Sequence, residues 1–183
     1  GIKYTNQDNP IDFDKFIEAV SKVVKEKATQ KGLKCPFILM EPGRSIVASS
    51  GMTVYTVGTV KRIPNVRNYV CVDGGMCDNP RYALYQSRYT VVNANRASDE
   101  ADFTCTVAGR CCESGDVIQE NVMMPESLKR GDLIVCLTTG AYNYSMSSNY
   151  NRIPRPPVVM LAKGESYVAV KRETLDDITR LDV

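Results

Sequence analysis

Residues 53–60 read "TVYTVGTV". Apart from Gly58, the stretch is β-branched or aromatic. Such side chains are stiff at χ1 and pack well on a pleated surface, so the stretch reads as a strand. The same composition returns at residues 69–72, 89–92, 103–107, 133–137, 158–161 and 167–170. Between these runs stand turn residues: Asp73-Gly74-Gly75, Gly131-Asp132 and Lys163-Gly164-Glu165. Many short strands with such punctuation predict a mainly β domain, an antiparallel sandwich or barrel, over residues 51–183. A short helix over 173–181 closes it.

Upstream the period changes. Phe13, Phe16, Ile17, Val20, Val23 and Val24 repeat at helical spacing, which predicts one apolar face on a helix over 10–31. Phe37-Ile38-Leu39-Met40 then forms an unbroken apolar run, the mark of a strand covered on both faces. Helix followed by buried strand is half of an αβ repeat, and it occurs once. Residues 1–50 therefore form a separate unit that needs other elements to cover it.

Composition narrows the chemistry. Hydrophobic residues make up 43% and charged residues 24%, with a formal net charge of +2. That balance predicts no nucleic-acid partner and no membrane surface. Seven cysteines without a secretory signal predict reduced thiols and a cytoplasmic location. With no histidine and no CxxC pair, no metal site is expected. Histidine-based nucleophile activation is excluded too, leaving Cys, Glu, Asp, Lys, Tyr or a cofactor.

Four stretches carry chemistry. Glu41-Pro42-Gly43-Arg44-Ser45 ends the apolar run. It reads either as a Pro-Gly turn or as a cradle whose backbone approaches a phosphate. In Met76-Cys77-Asp78-Asn79-Pro80-Arg81-Tyr82-Ala83-Leu84-Tyr85, a helical turn would put Arg81 and Tyr85 on one face, with Arg suited to a carboxylate. Cys111-Cys112-Glu113 reads as half-buried thiols before a turn, or as a thiol and carboxylate for proton transfer and cation binding. Residues 140–157 form a long Tyr-, Ser- and Asn-rich segment of the kind that is usually functional.

Taken together, "EPGRS", "VDGGMCDNPRYALY", "CCESGD" and "GAYNYSMSSNYNRIPRP" resemble, in order, the pyridoxal-phosphate-dependent decarboxylases with an alanine-racemase-like barrel, and among them the diaminopimelate decarboxylases. The resemblance implies a (β/α)8 barrel followed by a β domain, pyridoxal 5'-phosphate as cofactor, and a homodimer with shared active sites. Residues 1–50 would be the terminal fragment of that barrel and 51–183 the C-terminal β domain. The implied reaction converts meso-2,6-diaminopimelate to L-lysine and carbon dioxide, in lysine biosynthesis. Another basic amino acid (arginine, ornithine or lysine) is the alternative substrate.

In the family, the lysine that holds the cofactor, a histidine facing its ring and a glycine-rich phosphate loop all lie upstream of these motifs. This chain is thus expected to be a C-terminal part, inactive alone, or an inert dimerisation module in isolation. By resemblance, Glu41, Pro42, Gly43 and Arg44 line the cofactor phosphate, and Arg44 also reaches the substrate. Arg81 and Tyr85 bind substrate, and Tyr142 touches both cofactor and substrate. Cys112 is the proton donor and Glu113 a substrate-binding carboxylate, both serving the partner subunit's site.

Overall fold

The computed structural model describes residues 1–183. Near the start, the Asp8 carboxylate accepts from the backbone N–H groups of Tyr4 (2.9 Å) and Thr5 (2.7 Å), which closes a turn. Asp12 then caps helix α1 (Phe13–Gln30) by accepting from the Lys15 N–H. The predicted apolar stripe is there, but Phe13, Phe16, Ile17 and Val23 stay exposed. The strand predicted at residues 37–40 does not form: those residues pair with nothing, and Phe37 is 100% exposed. A strand exists through its ladder, and the chain offers this run no neighbouring strand. After Gly43 comes a single helical turn, α2 (Arg44–Val47).

The main sheet has six strands. In chain order the elements are β1 (Met52–Ile63), β2 (Arg67–Val72), helix α3 (Arg81–Tyr85), β3 (Val91–Asn93), β4 (Phe103–Ala108), β5 (Val117–Met124) and β6 (Leu133–Leu137). Their spatial order is β3-β6-β1-β2-β4-β5. A bulge between Val57 and Thr59 divides β1, so that residues 52–56 pair with β6 and the rest with β2. All pairings are antiparallel except β2 with β4. This exception to the antiparallel expectation is possible because residues 73–102 form a crossover long enough to return a strand in the same direction.

The two outer strands approach each other, and the backbone N–H of Tyr89 donates to Gln119 Oε1 at 2.9 Å. The sheet therefore curls into a nearly closed barrel. Its interior holds Tyr55, Val57, Val70, Val107, Ile118, Met124 and Ile134, all essentially inaccessible. Each such side chain contributes about 1.5–3 kcal/mol by leaving water.

Beyond the barrel, β7 (Val158–Ala162) and β8 (Glu165–Val170) pair only with each other. Lys163 and Gly164 both take positive φ at their turn, as a tight hairpin requires. The hairpin thus stands apart from the six-stranded sheet, within the span read as one β domain. Glu173 ties the segment back, accepting from Asn149 Nδ2 (2.6 Å) and the Arg155 N–H (2.8 Å). Helix α4 (Leu175–Thr179) starts in a capping box of Thr174 and Asp177. No helix is long and apolar enough to cross a membrane.

Candidate active site

The loop of Glu41, Pro42 and Gly43 is exposed and feeds directly into α2. A Cβ built on Gly43 would meet nothing within 4 Å, so this face of the backbone is open. Its rear is fixed. Gly140 N–H donates to Ala48 O (3.0 Å) and Thr139 N–H to Gly51 O (2.9 Å). A Cβ on Gly140 would lie 1.9 Å from Val47 O, so only glycine allows this approach. The turn before α2 and the segment leading to Tyr142 are thereby held as one piece.

On that base sits a train of cations and aromatic rings. The Arg44 guanidinium lies 6.0 Å from the centre of the Tyr4 ring. Tyr4 meets Tyr89 edge-on, with ring centres 4.9 Å apart. Tyr89 donates its hydroxyl to Asn143 Oδ1 (3.3 Å), and Asn143 Nδ2 donates to Asn79 Oδ1 (2.6 Å). Burial pushes the Tyr89 hydroxyl up to about 12, so it stays a donor at neutral pH.

Arg81 opens α3 and Tyr85 lies one turn on, as the i, i+4 spacing predicts. The Arg81 guanidinium is 4.9 Å from the Tyr85 ring and 5.2 Å from that of Tyr142. Tyr142 reaches it from a backbone at φ 71, a conformation that non-glycine residues hold only under local constraint. Arg81 Nε is buried without a partner. A buried donor of this kind calls for an acceptor, and a guanidinium held against aromatic rings suits a carboxylate.

The second group lies on the turn between β4 and β5. Buried Asp116 holds this turn by accepting from the N–H of Met76 and of Cys111, both at 2.6 Å. Burial raises the Cys111 thiol, and pushes the neighbouring Cys77 up to about 12. Both are therefore protonated core thiols. Cys112 instead points outward and is exposed. The exposed Glu113 accepts from the Gly115 N–H and Ser114 Oγ at Oε1, each at 3.2 Å, and from the Tyr150 hydroxyl at Oε2, at 3.3 Å. These donors, the Gly115 N–H foremost, hold its carboxyl below the ordinary value.

Arg81 meets the Tyr85 and Tyr142 rings and also faces the Tyr89 hydroxyl, which joins it to the train that starts at Arg44, while Cys112 and Glu113 lie on the β4–β5 turn. No hydrogen bond or ion pair joins the two groups. The turn ahead of α3 is buried and polar: the Tyr55 hydroxyl donates to Asp78 Oδ1 (2.6 Å) and the Gly75 N–H to Oδ2 (3.0 Å). Burial raises the Asp78 carboxyl. Tyr4, Tyr89, Asn79, Asn143 and Tyr150 complete the arrangement; Tyr4 and Tyr89 lie outside the four stretches, and the other three lie within them without an assigned role. Their only signal is composition, because each partner lies tens of residues away. Asp78 and Asn79 come nearest to legibility, as polar residues beside Gly74-Gly75 that turn out buried.

The description "pyridoxal-dependent decarboxylase, C-terminal sheet domain" matches residues 14–140. A diaminopimelate decarboxylase of Bacillus subtilis (strain 168) is 50% identical over 183 residues, covering 100% of this chain and 42% of the relative. Among solved structures, the diaminopimelate decarboxylase of M. jannaschii is 29% identical with a TM-score of 0.89, covering 100% of this chain and 41% of that one. That of Helicobacter pylori, complexed with L-lysine, is 31% identical with a TM-score of 0.85, covering 100% and 42%. The chain spans less than half the length of these relatives. The match takes in the turn before α2, all of α3, the Cys112 turn and Gly140, and on that ground the chain belongs to the pyridoxal-dependent decarboxylases and carries their C-terminal sheet domain.

Proposed function

We propose that this chain is the C-terminal part of a diaminopimelate decarboxylase, which converts meso-2,6-diaminopimelate to L-lysine and carbon dioxide. Residues 1–50 then close a (β/α)8 barrel and residues 51–183 form the β domain. The observation that carries the reading is Arg81: a guanidinium against both the Tyr85 and the Tyr142 ring, with a buried Nε that lacks an acceptor. A substrate with an amino-acid group at each end has a carboxylate to place there. An ornithine-type substrate has only an amine at its distal end and leaves Arg81 without a counter-ion.

The residues also fit pyridoxal phosphate. The open backbone face at Gly43, the Arg44 cation and the exposed Tyr142 ring suit a phosphate joined to a flat heterocycle. When bound, this cofactor supplies the electron sink that lets a carboxylate leave as carbon dioxide. Glu41, Pro42, Gly43 and Arg44 hold the phosphate end. Tyr142 contacts cofactor and substrate. Arg81 and Tyr85, with Arg44, bind the distal carboxylate, and Glu113 binds the distal ammonium. The Cys112 thiol gives its proton to the carbon that has lost carbon dioxide.

A homodimer in which Cys112 and Glu113 serve the partner subunit's site follows from the family resemblance of the "CCESGD" stretch. Seven free thiols suit a reducing cytoplasm. The test is a release assay for carbon dioxide from the holoenzyme, with meso-diaminopimelate, ornithine, arginine and lysine offered in parallel. Turnover of diaminopimelate, abolished or strongly reduced by Arg81→Ala, is expected. Preference for ornithine, with Arg81→Ala neutral, overturns the reading.

A further inference from the structure

Glu113 has more hydrogen-bond donors than an exposed carboxylate needs. Two are local, the Gly115 N–H and the Ser114 hydroxyl, and both meet Oε1. The third, the Tyr150 hydroxyl, comes from a different loop and meets Oε2 at 3.3 Å. That loop is anchored on both sides of the phenol. Ser148 N–H donates to Cys77 O (2.8 Å), under the thiol turn. Asn149 Nδ2 donates to Ile153 O (3.1 Å) and Glu173 Oε2 (2.6 Å). Next to Tyr150, Asn151 and Arg152 both take positive φ, a backbone course that local packing must hold in place. A solvent-exposed bond of this kind adds little to folding stability.

The acceptor count gives this arrangement a meaning. An ionised carboxylate offers roughly four lone-pair positions. Gly115 and Ser114 fill those of Oε1, Tyr150 fills one of Oε2, and one position on Oε2 remains. A primary ammonium can use a single acceptor with one of its three N–H groups. A guanidinium presents a parallel fork that needs both oxygens at once.

We propose that Tyr150 is a positioning and specificity-determining residue, which fixes Glu113 so that it accepts one N–H from a primary ammonium and refuses a guanidinium fork. The inference rests on the reading of Glu113 as the receptor for the substrate's distal ammonium. It adds the ligand class and the residue that enforces it.

The experiment compares Tyr150→Phe, Glu113→Gln and the double variant in the holoenzyme. Tyr150→Phe keeps the ring and removes only the donor. Its KM for meso-diaminopimelate should rise about three- to tenfold, with kcat within about twofold of the parent. The inhibition constant of L-lysine, which keeps the distal ammonium, should rise in parallel. Removing a donor from the ionised form raises the Glu113 carboxyl, so the acid limb of kcat/KM should move to higher pH. The other titratable groups facing this pair are Cys111 and Cys112. In the Glu113→Gln background, Tyr150→Phe should add nothing. The proposal is overturned if Glu113→Gln raises KM but Tyr150→Phe moves neither KM nor the acid limb, or if Tyr150→Phe acts equally in both backgrounds. If Glu113→Gln leaves KM unchanged, the ammonium-receptor reading itself fails, and the role of Tyr150 falls with it.

Discussion

Arg81 shows how far a single position can be read. Its i, i+4 relation to Tyr85 follows from the sequence once a helical turn is granted, and the structure contains that turn. Its contact with Tyr142 does not follow, because no local rule connects residues so far apart. Tyr4 and Tyr89 are hidden for the same reason: Tyr89 looks like ordinary strand composition, and only the folded chain brings it under Tyr4. Contact with two rings makes Arg81 hard to replace. Lysine keeps the charge but loses the planar fork and its stacking on two rings. Arg81→Lys should lower kcat/KM for diaminopimelate by roughly 10- to 100-fold, about 1.4–3 kcal/mol of lost charge-assisted bonding. The melting temperature should stay within a few degrees, since the guanidinium has no ion-pair partner in the fold. Steady-state kinetics beside a thermal melt checks both.

Among the elements, those with a strong local signal are the legible ones. Helix α1 and most barrel strands stand where periodicity and β-branched content put them. Strand β5 is missed because Gln119, Glu120 and Asn121 interrupt it, and Asn121 takes φ 54, which breaks the alternation that marks a strand. Residues 37–40 fail in the opposite way, with strand composition but no neighbour to pair with. Contacts between elements are less legible still. That α2 needs a bare glycine behind it cannot be seen in "TTGAY", although Gly140 decides where the turn before α2 sits. Gly140→Ala puts a methyl group against Val47 O and should cost about 1–3 kcal/mol through forced backbone movement. It should also weaken pyridoxal-phosphate binding, because α2 and the Tyr142 segment move apart. Absorbance titration with the cofactor and a melt should both register the change, whereas a surface Gly→Ala at Gly115 should register in neither.

For the molecule as a whole, exposed apolar surface is the dominant fact. Phe13, Phe16, Ile17 and Val23 on α1, with Leu33, Phe37 and Leu39 after it, are all exposed, and exposed apolar surface of this kind favours association. The 183-residue polypeptide by itself should therefore self-associate, and sedimentation should show mass rising with concentration; a clean monomer at high concentration counts against this. The shared-site reading of Cys112 and Glu113 makes a second prediction. Cys112→Ala should slow turnover on the order of 10²-fold or more, with cofactor binding nearly intact. Mixed with subunits lacking the lysine that the family uses to hold its cofactor, it should regain part of the activity, through one intact composite site per heterodimer. If subunit exchange is confirmed and the mixture stays as inactive as either parent, the shared-site assignment is wrong.

The bulge in β1 has a dynamic consequence. Because residues 52–56 belong to one ladder and 57–63 to the other, the barrel wall is two panels hinged on a single strand, latched opposite by the Tyr89–Gln119 bond. Breaking that latch, as in Gln119→Leu, should let the panels open independently. Native-state amide exchange would then split into two cooperative groups with distinct protection, β3 and β6 in one and β2, β4 and β5 in the other, while the parent protein should exchange the whole wall as one unit.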